Sequence, residues 1–335
     1  MNKCIQLASK AVGQVSPNPM VGSVIVYNED IIGQGYHENY GKAHAEVNAI
    51  NSVKDKSLLS NSTLYVNLEP CSHHGKTPPC ANYIIKHKIK RVVIGCVDTS
   101  SKVSGKGISL LRNSNIIVDV GVLEDKCRII NKRFFKYHEE KRPYIILKWA
   151  QSQDGFIAPL NQSEPFWMTS QKSKDLVHRW RAEEDSILVG RKTAQIDNPQ
   201  LNVRNNSGKS PIRILIDPNL NVKTDNNIFN EDVKTLIFNC KISKIVGTNN
   251  YLFCDHKNMI NTILETLYKL KITSLIVEGG NITLQSFIDA KMWDEARVFT
   301  TTKKISEGVL SPVISGDVTE VKRIENDKLK FILNR

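Results

Sequence analysis

The 335-residue sequence contains no apolar run of the roughly 18 residues a helix needs to cross a bilayer. A membrane span is therefore not expected. The opening stretch "MNKCIQLASKAVGQ" threads polar residues through its apolar ones and lacks the unbroken core of a secretory signal, so a cytoplasmic protein is expected. Internal repeats and low-complexity tracts are missing, which excludes solenoids and arrays. The seven cysteines, at 4, 71, 80, 96, 127, 240 and 254, are odd in number and scattered. That pattern argues against a disulfide framework and leaves close pairs available to a metal. A G-x-G-x-x-G fingerprint is missing too, so an ordinary Rossmann dinucleotide site is not expected. The net charge is +12, yet the 46 basic residues are mostly lysines with acids between them. Such a surface is solvated and mildly attractive to anionic metabolites, and nucleic acid is not expected as a partner.

What is present suits two soluble α/β domains, each long enough to bury a core. In the first half, apolar residues at 5, 8 and 12 suggest a short helix, and "VGSVIVY" and "IIGQGY" read as a hairpin. Helices are expected over about 43–53, 80–88 and 106–113, alternating with the strands "TLYVNLE", "RVVIGCV" and "NIIVDVGV". An opening hairpin followed by αβ units predicts a mixed sheet with helices on both faces. The charged stretch "NKRFFKYHEEKRP" (131–143) ends in proline and serves as the expected boundary, giving domains 1–142 and 143–335. The second half opens on the strand "YIILKWA". Helices follow over about 171–183, 259–270 and 283–290, with strands at "SILVG", "PIRILID", "VKTLIFN", "SLIVEGG", "EARVFTT" and "KFILN". Cys96, Cys240 and Cys254 sit in or beside apolar runs and are expected to be buried bystanders.

One segment is unlike the rest. "EPCSHHGKTPPC" (69–80) packs two cysteines, two histidines, three prolines and a lysine into twelve positions, and "HAEV" (44–47) lies upstream. Zinc favours thiolate and imidazole donors, and a catalytic zinc site keeps three protein ligands and one position for water. His44, Cys71 and Cys80 supply such a set, although His73 and His74 are equally eligible on composition. The prolines stiffen the ligand loop and lower the entropy lost when metal orders it. Water on such a metal becomes a ready nucleophile, and Glu46 is a carboxylate able to move its proton to a leaving nitrogen. A structural zinc site would want four ligands in two close pairs, which the C-x8-C spacing matches poorly.

H-x-E followed by P-C and a second cysteine resembles the cytidine-deaminase superfamily of zinc enzymes. Taken together, "SPNPMVGSVIV" (16–26), "HAEV" and "EPCSHHGKTPPC" resemble the deaminase half of the bifunctional riboflavin-biosynthesis (RibD) family. The resemblance implies an αβα deaminase fold with Zn2+ on His44, Cys71 and Cys80 and Glu46 as proton shuttle. It further implies Asn18 against the pyrimidine, and His37, His73 and Lys76 toward the ribose phosphate. Where that family reads D-P-N-P, this chain has "DTSS" from Asp98, leaving Ser100 in place of the asparagine.

In the second half, "LIVEGGNITLQSF" runs from strand through a glycine pair into a helix, an arrangement that leaves free amides for an anion. Arg181 and Arg204 are candidate phosphate clamps. "LKWAQSQDGFIA" (147–158), "FWMTS" (166–170), "HRWRAEEDSILVGRKTAQIDNPQLNVR" (178–204) and "VEGG" (277–280) resemble the reductase half of the same family. That resemblance implies a dihydrofolate-reductase-like α/β domain using NADPH. Cofactor contacts are implied at Ala150, Trp167, Thr193, Asp197 and the run Gly280, Asn281, Ile282, Thr283, Leu284, Gln285 and Ser286. Substrate contacts are implied at Arg181, Leu201, Arg204 and Glu278, with Lys148 as a candidate assistant in protonation. The partners implied are small phosphorylated pyrimidines, with a homo-oligomer formed through the reductase domain.

Overall fold

The structure is a computed structural model of the chain, and it describes residues 1–72, 78–100, 103–162, 164–204 and 208–335. It divides into two compact units, Met1–Lys141 and Arg142–Arg335.

The first unit begins with helix α1 (Asn2–Ala8) and the hairpin β1 (Gly22–Tyr27) and β2 (Asp30–Tyr36). Helix α2 (Ala45–Ser52), strand β3 (Thr63–Leu68), helix α3 (Cys80–Lys86) and strand β4 (Arg91–Cys96) follow. Helix α4 (Lys106–Asn113), strand β5 (Ile117–Val120), α5 (Glu124–Ile130) and α6 (Lys132–Glu140) complete it. Among the described residues the strands form one sheet in the order β2-β1-β3-β4-β5, antiparallel on the hairpin side and parallel from β3 onward. This is the mixed sheet the pattern predicted. Strand β4 is buried along all but its first residue, because a parallel strand with helices on both faces has no side facing water. Ile25, Ile50, Leu64, Ile84 and Ile94 form the centre of its core.

The segment expected to mark the boundary is largely helix. α6 buries Phe134 and Phe135 against Leu68, Cys96 and Cys127 while Glu139 and Glu140 are exposed. The two units then divide at 141/142, directly after it. Asn131, between α5 and α6, closes this region: its Oδ1 accepts from Met20 N at 2.8 Å and its Nδ2 donates to Met20 O at 2.9 Å.

The second unit contains β6 (Tyr144–Gln151), β7 (Phe156–Pro159), α7 (Gln171–Glu183), β8 (Ser186–Gly190), α8 (Arg191–Asp197) and β9 (Ile212–Ile216). There follow β10 (Thr235–Asn239), β11 (Lys244–Val246), β12 (Asn249–Phe253), α9 (Met259–Lys269), β13 (Ser274–Glu278) and α10 (Asn281–Asp289). It closes with β14 (Glu295–Thr300), β15 (Gly308–Leu310), β16 (Asp317–Ile324) and β17 (Asp327–Leu333). Among the described residues ten strands form a sheet in the order β11-β12-β10-β9-β8-β13-β6-β14-β17-β16, and β15 pairs with β7 apart from it. The strands from β9 across to β14 are parallel, so their carboxyl ends share one edge of the sheet. In open α/β sheets that edge is where ligands bind. One core cluster lies around Leu147, Leu188 and Val277, and another around Ile146, Ile187 and Leu215. Of the expected bystander cysteines, Cys96 and Cys254 are buried and Cys240 is half-buried. No described helix is long and apolar enough to cross a membrane.

Candidate active sites

Three neighbouring elements assemble the cluster of metal-capable side chains in the first unit. His44 is the N-cap of α2, Cys71 follows the end of β3, and Cys80 is the first residue of α3. The ligand atoms all lie within 4.8 Å of one another. His44 Nδ1 is 3.2 Å from Cys80 Sγ and 3.5 Å from Cys71 Sγ. Tetrahedral zinc with N and S ligands would hold such atoms about 3.6–3.8 Å apart, so the trio needs little movement to close on the ion. The Cys80 amide also donates to Cys71 Sγ at 3.3 Å. The Cys80 thiol bonded to it holds Cys71 well below the ordinary thiol range, at about 4, with His44 acting in the same direction. A thiolate is the form that ligates metal.

The turn carrying Cys71 is anchored by a neighbour that sequence reading passed over. Glu69 is buried, and its carboxylate accepts from the amides of Asp98, Gly105, Gly107 and Ile108 at 2.9–3.2 Å. The exit of β3 is thereby fastened to the start of α4. Its signal was the acidic residue directly before the ligand turn.

Glu46, on the first turn of α2, is 3% exposed. Burial pushes its carboxyl up to about 7, and the Cys71 charge pushes the same way. Positions i and i+2 within a helix point to nearly opposite sides, but His44 is an extended N-cap rather than a helical residue, so that rule does not separate it from Glu46.

Asn18 and His37 also lie together. His37 is 2% exposed, with its Nδ1 3.0 Å from Ala43 O and its Nε2 3.1 Å from Asn18 Nδ2. A carbonyl accepts only, so Nδ1 carries the hydrogen and Nε2 accepts from the Asn18 amide. Burial lowers the His37 pKa, in keeping with that neutral form. The position expected to face the phosphate thus has both ring nitrogens engaged. His73 and Lys76 lie outside the described residues. Ser100 is buried, and its amide donates to Asp98 Oδ1 at 2.7 Å.

In the second unit a cleft of about 1470 Å³ opens at the carboxyl edge of the parallel strands. Parallel register sets Lys148 of β6 directly beside Glu278 of β13. Glu278 Oε2 lies 2.9 Å from Arg181 Nη2 and 3.8 Å from Lys148 Nζ. Burial alone would raise the Glu278 carboxyl, but Arg181 and Lys148 outweigh it and hold the group down to about 2. Burial lowers the Lys148 pKa, against the pull of Glu278. Helices α8 and α10 both start at this edge, capped by Gly190 and Gly280, and the Gly280 amide donates to Thr193 Oγ1 at 3.0 Å.

Most residues implied for cofactor or substrate line this one cleft. They include Ala150, Trp167, Thr193, Asp197, Leu201 and Arg204, together with Gly280, Asn281, Ile282, Thr283 and Ser286. Asp197 accepts from Gln162 at 3.1 Å. Arg204 donates to Gln200 at 3.2 Å. Trp167 is 63% exposed at the rim, with Lys174 Nζ 4.3 Å from its ring centre. Two residues of the implied run face elsewhere. Leu284 is fully buried in the core, and Gln285 bonds Val313 and Asp289. His178 also lines the cleft and was passed over in the sequence; its signal was the i, i+3 spacing to Arg181 on one face of α7.

Comparison with known proteins then distinguishes between superfamily and family. A family model described as the cytidine and deoxycytidylate deaminase zinc-binding region matches residues 1–96, and one described as the RibD C-terminal domain matches residues 143–308. The riboflavin biosynthesis protein RibD of Aquifex aeolicus is 42% identical over 315 residues, covering 92% of this chain and 88% of that one. The chain belongs to the RibD family of riboflavin biosynthesis proteins. Among solved structures it is similar to a diaminohydroxyphosphoribosylaminopyrimidine deaminase/5-amino-6-(5-phosphoribosylamino)uracil reductase from Thermotoga maritima. That likeness has a TM-score of 0.91 at 34% identity and covers 99% of this chain and 97% of the other. RibD from Acinetobacter baumannii is similar too, with a TM-score of 0.89 at 28% identity over 99% and 97% of the two chains. The RibD fold therefore accounts for both units, and the His44, Cys71 and Cys80 cluster fits the zinc that its deaminase half uses. The reductase half uses NADPH.

Proposed function

We propose that this chain carries out two successive steps of riboflavin biosynthesis. The first unit hydrolytically deaminates 2,5-diamino-6-(5-phosphoribosylamino)pyrimidin-4(3H)-one. The second reduces the product, 5-amino-6-(5-phosphoribosylamino)uracil, to the ribitylamino phosphate. The observation that carries this reading is the trio His44, Cys71 and Cys80 with a buried carboxylic acid, Glu46, beside it. A purely structural zinc site has no use for that acid.

In the first step, zinc when bound supplies Lewis-acid activation of water at the position its three protein ligands leave open. Glu46 takes the proton from the attacking water and delivers it to the departing amine, for which a carboxyl near neutrality is well matched. Asn18 holds the pyrimidine edge. His37 accepts from the Asn18 amide nitrogen, which supports an orienting role for His37: it turns the Asn18 oxygen outward as an acceptor for a ring N–H. His73 and Lys76 take the ribose phosphate end.

In the second step, NADPH when bound supplies the hydride to C1 of the opened ribose. Ala150, Trp167, Thr193, Asp197 and the start of α10 hold the cofactor, whereas Arg181, Leu201, Arg204 and Glu278 hold the substrate. Lys148, kept beside Glu278, holds a proton at Nζ for the reacting centre. We place the enzyme in the cytoplasm and infer a homo-oligomer through the reductase unit, a reading supported by the exposed Val318 and Val321 on the outermost strand β16.

Wild-type and Glu46→Gln proteins incubated with the diaminopyrimidine phosphate test this. Wild type should release ammonia without NADPH and consume NADPH only afterwards. Glu46→Gln should lose at least about a hundred-fold in ammonia release, yet oxidise NADPH normally when given the deaminated compound. Zinc-loaded wild type that releases no ammonia would refute the first activity. NADPH left intact with the deaminated compound would refute the second.

A further inference from the structure

The cleft of the second unit holds polar atoms that the protein itself leaves unsatisfied. Among the described residues, His178 Nδ1, Arg181 Nε, Glu278 Oε1 and Asn281 Oδ1 are buried without a hydrogen-bond partner, and all four residues line the cleft. Two of the other atoms in the set are committed to each other. Glu278 Oε2 is held by Arg181 Nη2 at 2.9 Å, and α7 carries His178 and Arg181 on one face. A buried donor or acceptor left unpaired costs free energy, so several in one cavity mark where a ligand supplies the missing bonds.

The chemistry of the set restricts that ligand. Arg181 Nε–H donates only, whereas Glu278 Oε1 and Asn281 Oδ1 accept only. His178 is more than nine-tenths buried, at 9% exposure. Burial lowers its pKa, and the nearby Arg181 and Arg204 push in the same direction, so the ring is neutral and Nδ1 is free to accept or donate. A phosphate, which only accepts at neutral pH, would face the Glu278 oxygen unfavourably. A hydroxyl donates and accepts at once, so it can bridge an acceptor and a donor of this set.

We infer that His178 is a substrate-contacting residue of the reductase cleft, its Nδ1 hydrogen-bonding a hydroxyl of the opened ribose chain. The inference rests on the reductase reading above and names a residue which that reading does not use. NADPH also carries sugar hydroxyls. The substrate is the source because His178 shares its helix face with Arg181, which holds Glu278 at 2.9 Å, and that pair is placed on the substrate side.

Kinetics of three variants test it. Asn places a polar atom close to where Nδ1 sits, Gln reaches instead toward the Nε2 position, and Phe keeps the ring shape with neither. The order expected for substrate KM is wild type, then His178→Asn, then His178→Gln and His178→Phe, the last raised about ten-fold or more. The NADPH KM should stay within about two-fold. Substrate analogues lacking the 2- or 3-hydroxyl should be penalised by wild type, whereas His178→Phe should no longer distinguish at least one of them from the full substrate. NADPH binding followed by fluorescence confirms that each variant has folded. If the Phe variant raises the NADPH KM alone, or leaves substrate KM and analogue discrimination as in wild type, the inference is wrong. Wild type that does not reduce the deaminated compound would instead overturn the reductase reading itself.

Discussion

At the level of single residues, the chemistry depends on groups whose ordinary charge is altered by where they sit. Glu46 and Glu278 illustrate the two directions. Glu46 has burial and a neighbouring thiolate against its charge and is pushed up to about 7. Glu278 has Arg181 and Lys148 beside it and is held near 2 despite burial. Since the folded-state value of Glu278 lies below its ordinary 4.5, it contributes stability that is fully present above that value and is lost as pH falls toward about 2. Denaturation of the second unit, followed by Trp fluorescence, should therefore show stability falling from about pH 4.5 downward, with a shallower fall in Glu278→Gln. Identical slopes in the two proteins would show that the ion pair does not carry this linkage. The sequence made Cys71 and Cys80 legible because soft donors are rare and were crowded into one short span, whereas His44 was set apart from His73 and His74 only by the family resemblance. It could not reveal that both ring nitrogens of His37 are engaged, since Ala43 O and Asn18 reach it only through the fold.

At the level of elements, alternation and apolar runs located most strands and helices, with α4, α7 and β8 at their expected limits. The departures have physical causes. α6 was hidden by its charge, because only Phe134 and Phe135 of its nine residues are buried. β16 shows almost no buried side chain, since it is an outermost strand held by main-chain bonds to β17. The N-terminus of α4 shows how an element serves a site. Glu69 clasps its first amides, and Gly107 lies so close to the ligand turn that an added Cβ would come 2.0 Å from Pro70 O. Gly107→Ala should therefore destabilise the first unit by about 1–3 kcal/mol and lower its zinc content, read by melting and metal analysis. A variant with wild-type melting and full zinc would show that the turn accommodates the methyl group.

For the whole molecule, the two compact units divide where two family models also part, one ending at 96 and the other beginning at 143. Each has its own core and its own site, so the activities should be separable within one chain. Removing zinc with a chelator should abolish ammonia release while NADPH-dependent reduction of supplied 5-amino-6-(5-phosphoribosylamino)uracil persists within about two-fold; ammonia release should return on adding zinc back. Loss of both activities together would show that the metal supports more than the first unit.

The account depends most on a metal held by three side chains. X-ray absorption at the zinc edge of the purified protein reads that directly. It should find one zinc per chain with two sulfur neighbours at about 2.3 Å, one imidazole nitrogen and one further light atom from solvent at about 2.0–2.1 Å. A second imidazole in place of the solvent atom, or a protein that retains no zinc, would contradict it.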